Sequence, residues 1–175
     1  MTTTDQELRH REQSGKGEDS APPPANKDIH FNVEVSGTIS AATYEIKATN
    51  AASDPYLKGP KKQTIGLPNG PEWYDIVFHV VDKIPGEKVI FHTTEPICAQ
   101  VGVGCPSSGS GINTNNQLSM MERKDKKLTL ENKNQDPAIQ IGYTLFFVDE
   151  KKGQSIDPPF DPIMDNGGGG HVPII

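Results

Sequence analysis

The side chains with the most chemical reach in this sequence are two cysteines, two histidines and a single tryptophan. Cys98 and Cys105 are separated by six residues in a stretch rich in Gly, Ser and Pro. A thiolate is both the attacking group of disulfide exchange and a zinc ligand, so the pair raises redox and metal chemistry. Structural zinc needs two more ligands, usually in pairs spaced by roughly two to four residues. No matching pair exists elsewhere in the chain, so no metal is expected. A disulfide closing so short a loop would be transient in a reducing compartment. Two separate thiols, one packed and one near the surface, is the plainer reading, with reversible redox chemistry as the candidate function.

His79 and His92 lie on two consecutive expected strands. A hairpin register would set them side by side, where two imidazoles can share a ligand or a proton, with Asp75 or Glu95 close by. Both also fall on the face opposite the main apolar one, where polar side chains belong. Trp73 follows Pro71-Glu72 and precedes a strand. A lone indole there is either a sugar platform or packing at the rim of the core. Trp73, His79, His92 and Glu95, with Tyr56 and the 94–117 loop, form the candidate ligand-binding set for a sugar or a metal.

Other patterns carry less. Gly102-Val103-Gly104 and residues 107–111 resemble a phosphate loop only superficially, since no Gly-Lys-Ser/Thr opens a helix after them. Asp157, Asp161 and Asp165 recur every fourth residue among prolines, whereas calcium loops place ligands at alternate positions around a glycine. No Gly-x-Ser-x-Gly occurs and no nucleophile is matched to an oriented base, so no catalytic residue is assigned. A hydrolase or synthetase using His79, His92 and Glu95 has no positive sign.

The elements that must hold these residues show a period of two. Ile29, Phe31, Val33 and Val35 alternate with polar residues, as do Tyr44, Ile46 and Ala48. Gln63–Leu67 allows a short strand inside a turn-rich stretch. Tyr74–Val81 is apolar on both faces and reads as central. A Pro85-Gly86 turn leads into a strand over 88–93, and an irregular loop over 94–117 follows. Leu118–Arg123 allows one helical turn at most. Strands over 127–131 and 138–148 complete the set. This pattern predicts an all-β fold, an antiparallel immunoglobulin-like β-sandwich of six or seven strands with disordered termini, or else an incomplete barrel.

Residues 1–27 hold no aromatic residue and end near Ala21-Pro22-Pro23-Pro24, so they read as a disordered tail. Residues 28–150 form the expected sandwich domain. Residues 151–175 read as an extended strap anchored by Phe160, Ile163 and Met164, then a flexible tail through Gly167–Gly170. The 175 residues carry a net charge of −6, with 33% hydrophobic residues and mean hydropathy −0.57. That balance argues against nucleic acid or an anionic membrane as partner. Short lysine clusters at Lys58, Lys61, Lys62 and at Lys124, Lys126, Lys127 read as solvated loop edges. The N-terminal residues lack a basic region and an apolar region, so a cytoplasmic location is expected.

Glu95-Pro96, the opening Phe31-Asn32-Val33-Glu34-Val35-Ser36-Gly37 and the closing Asp161-Pro162-Ile163-Met164-Asp165-Asn166 resemble the small bacterial DP-EP family. The resemblance spans about residues 29–166 and implies a compact β-sandwich with no catalytic residues or cofactor to carry over. The function that follows is a non-enzymatic module that binds a protein partner or associates with itself, because open sandwiches expose strand edges. The alternative is small-ligand binding through the 94–117 loop and the His79/His92 pair.

Overall fold

A computed structural model gives the architecture and describes residues 26–59, 61–68, 70–102, 111–136 and 139–166. Its strands are β1 (Lys27–Thr38), β2 (Ala41–Ala48), β3 (Leu57–Lys58), β4 (Thr64–Leu67), β5 (Tyr74–Asp82), β6 (Val89–Phe91) and β7 (Ile97–Val101), then β8 (Ile112–Asn113), β9 (Leu118–Lys124), β10 (Lys127–Asn132), β11 (Gln140–Leu145), β12 (Phe147–Asp149), β13 (Gln154–Ser155) and β14 (Ile163–Asn166). One 3₁₀ turn, Asp54–Tyr56, precedes β3. The fold is all-β, and no helix among the described residues is long and apolar enough to cross a membrane.

Sheet 1 has the order β2-β1-β5-β10-β9, sheet 2 the order β3-β4-β14-β11-β7-β8, and sheet 3 the order β13-β12-β6. The alternation of β1 does what its sequence requires: Ile29, Phe31, Val33 and Val35 are buried while the residues between them are half-buried. β5 lies between β1 and β10 and buries Tyr74, Ile76, Val77, Phe78 and Val80, as its two apolar faces predict.

Four features depart from the expected antiparallel six or seven strands and their connections. Among the described residues there are fourteen strands, and β1–β5, β4–β14 and β7–β8 pair in parallel. A period of two fixes which face is buried but not strand direction. Here β1 and β5 run in parallel because the segment between them makes β3 and β4 in the other large sheet. The 94–117 stretch is not irregular throughout. Ile97, Cys98 and Ala99 are buried in β7, between β11 and β8. Leu118–Lys124 is strand β9 and not a helical turn.

The apolar run over 138–148 divides at Phe146. β11 belongs to sheet 2 and β12 to sheet 3. The Phe146 carbonyl accepts from His92 N–H at 2.8 Å, and its N–H donates to the Pro96 carbonyl at 3.0 Å. Residues 92–96 therefore loop out opposite one residue, which separates β6 from β7.

One core joins the sheets. Phe78 of sheet 1 packs on Tyr143 of sheet 2 with ring centroids 5.8 Å apart. Phe147 packs on Phe91 at 5.1 Å and on Tyr44 at 5.7 Å, and Tyr44 meets Phe160 at 5.2 Å. Of the residues expected to anchor the strap, Phe160 and Met164 are buried and Ile163 is half-buried. Its last part goes further and enters sheet 2 as β14. At the other end β1 begins at Lys27, one residue before the expected domain start, and its ammonium reaches Glu72 at 2.6 Å. The remaining expectations for the two tails fall outside the described residues.

Candidate functional site

The outer face of sheet 1 carries the clearest constellation. Register sets His30 of β1 beside Val77 of β5, and Asn32 beside His79. On the far side of β5, Lys127 of β10 stands opposite His79. Paired residues in a sheet project to the same face, so His30 and His79 are diagonal neighbours there. His30 Nδ1 and His79 Nε2 are 3.3 Å apart. The ring planes are within 12° and the centroids are 5.6 Å apart. That centroid distance is the nitrogen separation plus the two ring radii, so the nitrogens face each other head-on rather than lying in a face-to-face stack. A neutral imidazole has one donor and one acceptor, so this contact requires complementary tautomers sharing one proton.

The surroundings favour the neutral form of His79. Burial lowers the proton affinity of His79, and the neighbouring His30 and the Lys127 ammonium lower it further. Lys127 is itself bound by Glu122 at 2.8 Å. Glu122 also holds Lys124 at 2.7 Å, and the hydrogen bonds from both lysines bring its carboxyl down to about 2. The His30 backbone is fixed by Ser53 Oγ, which accepts its N–H at 2.9 Å, and by Thr49 N–H, which donates to its carbonyl at 3.0 Å.

The expected His79/His92 pair does not form. β6 leaves sheet 1 and pairs with β12, while the turn between β9 and β10 takes its place: Val80 N–H donates to the Lys126 carbonyl and Phe91 N–H to the Asp125 carbonyl. His92 instead organises its own loop, its Nδ1 accepting the Glu95 N–H at 3.1 Å. Glu95 is exposed. Trp73 is half-buried, and the Lys133 ammonium lies 5.3 Å from its ring centre, so a cation already occupies one face of the supposed sugar platform. Cys98 is buried in β7 opposite Thr144, and Cys105 lies outside the described residues. Among the described residues no three His, Cys, Asp or Glu side chains converge as a metal centre.

A second feature is the edge of sheet 1. β9 is an outer strand, and its Met120 and Met121 are 46% and 59% exposed. The ladder passes from Glu122 to Met120 across a bulge, which leaves Met121 without a partner residue on β10. The sequence gives no hint of this edge, because Leu118–Arg123 shows no alternation.

No family model matches the chain, and no curated protein matches it.

Proposed function

We propose that this chain is a non-enzymatic interaction module that pairs with a second copy of itself through the β9 edge. The observation that carries the reading is the exposure of Met120 and Met121 on an outer strand. Unbranched, polarizable methionine suits adaptable protein contacts, and an edge strand offers unpaired backbone groups. Charge favours a second copy. Two β9 strands paired antiparallel around Met121 set Met121 against its mate, Met120 against Glu122 and Ser119 against Arg123. No like charges meet in that register, and the two-fold symmetry makes the contact self-complementary. A strand from a different protein partner is the other occupant such an edge can take.

The same reading keeps the two large sheets as layers of an immunoglobulin-like sandwich, supported by the Phe78–Tyr143 contact. It also keeps the resemblance to the bacterial DP-EP family and a cytoplasmic location. The test is size-exclusion chromatography with light scattering across a concentration series, on the native chain and on a Met120→Lys/Met121→Lys variant. Lysines on an edge oppose strand addition. The expected result is a concentration-dependent dimer that the variant abolishes. A native chain that stays monomeric throughout overturns self-pairing, and a dimer that survives the two lysines overturns the assignment to β9.

A further inference from the structure

We propose that His30 and His79 form a two-imidazole site for a borderline divalent cation of the zinc class on the outer face of sheet 1. Imidazole nitrogen is a preferred ligand of zinc, and tetrahedral zinc with bonds of about 2.0–2.1 Å holds its ligand nitrogens roughly 3.3–3.4 Å apart. His30 Nδ1 and His79 Nε2 are already 3.3 Å apart. The cation takes the place of the shared proton. Tilting each ring by roughly 35° about its facing nitrogen brings the lone pairs from a head-on line to a common point beside it. The β1–β5 register sets the diagonal placement of the two side chains.

The groups around the pair permit a cation. Lys127 on β10 is the nearest like charge, and Glu122 on β9 binds its ammonium. Lys47 on β2 faces the pair across Asn32 and is bound by Glu34 at 2.9 Å and by Glu45 at 3.0 Å. Both imidazoles are half-buried, so water reaches the site and completes the coordination. The depressed proton affinity of His79 supplies a neutral ligand at neutral pH. This site is separate from the β9 edge and stands or falls independently of it.

The experiment is calorimetric titration of the chelator-treated full chain with Zn²⁺, with imidazole NMR signals followed in parallel. One equivalent is expected to bind, shifting the His30 and His79 signals and leaving His92 unmoved. His30→Gln and His79→Gln each lower the affinity about tenfold or more, His92→Gln does not, and binding weakens as pH falls toward 5.5. Because a glutamine variant can lose stability, the zinc-induced rise in Tm is measured as well: binding to the folded state raises it, and each glutamine variant abolishes that rise whatever its starting Tm. No zinc binding by the native chain overturns the site. So does unchanged binding in both glutamine variants, which would place the metal at other ligands.

Discussion

Asn132 of β10 and Asn166 of β14 exchange two amide hydrogen bonds, at 2.9 and 3.2 Å, across the join between sheet 1 and sheet 2. Both residues are buried, at 0% and 2% exposure. Asn132 Nδ2 also meets Met164 Sδ at 2.9 Å, and its Oδ1 accepts the Asn134 N–H at 2.8 Å. A buried amide contributes little net energy when bonded but is costly when stranded. The pair therefore fixes which residues of the two sheets face each other.

Replacing one member exposes that asymmetry. Asn132→Leu leaves the Asn166 amide and the Asn134 N–H without partners in the interior, at a cost of about 1–3 kcal/mol. The Asn132→Leu/Asn166→Leu double variant is expected to lose less than the sum of the single losses. Urea denaturation of the four proteins measures both quantities.

His79 makes stability depend on pH. In the unfolded chain His79 takes up a proton near its ordinary value of about 6.5. In the folded chain, burial, His30 and Lys127 depress that value. Between the two values the unfolded state binds more protons, so this contribution is fully present above about 6.5 and declines as pH falls toward the folded value. Tm measured from pH 8 to pH 5 should fall in that window, and His79→Gln should flatten the fall. An identical slope in the variant would assign the dependence elsewhere.

Asp149 is expected to matter under more acidic conditions. It is fully buried, and its Oδ1 accepts the N–H of Lys88 at 2.9 Å and that of Lys151 at 3.4 Å, tying the start of β6 to the turn after β12. The Lys88 N–H is the main reason its carboxyl lies below the usual carboxylate range. Its contribution is present above the unfolded value and lost as pH falls through the lower folded one. Asp149→Asn should lower Tm at neutral pH, lessen its fall below pH 4, and speed hydrogen exchange at the Lys88 and Lys151 amides.

Gly37 should tolerate nothing larger. Its φ is +89°, and an added Cβ would lie 2.4 Å from the Ala41 carbonyl oxygen. Gly37→Ala is expected to cost at least about 1–3 kcal/mol through backbone strain, with the clash in addition. Gly86→Ala is the comparison: φ is +79°, but nothing lies within 4 Å of the added atom. Thermal unfolding should rank Gly37→Ala as the more damaging change.

Much of the core was legible because burial imposes a period of two on a strand. Ile29 to Val35 and the alternate residues from Tyr74 to Val80 sit where their spacing predicts. Ile97-Cys98-Ala99 was hidden for the opposite reason: all three are buried, so no alternation marks β7. The site was half legible. His79 was identifiable as an outward imidazole, but its partner depends on whether the strand beside β5 is β1 or β6. Only the parallel β1–β5 register brings His30 to it. His92 has the same residue type and spacing but serves its own loop.

The place of β14 in sheet 2 governs the order in which the molecule can be made. It lies between β4 and β11, pairing Met164 with Ile65 on one side and with Ile141 on the other. During synthesis β4 leaves the ribosome long before residues 163–166 exist, so for that interval its edge toward β14 faces water. A released chain truncated before Ile163 would lack the strand that joins the two halves of sheet 2, leaving the edges of β4 and β11 exposed to pairing with other chains. Folding of sheet 2 is thus necessarily late, completed only after its central strand has emerged, whereas the β1–β2 hairpin, which needs only contacts close in sequence, can form early.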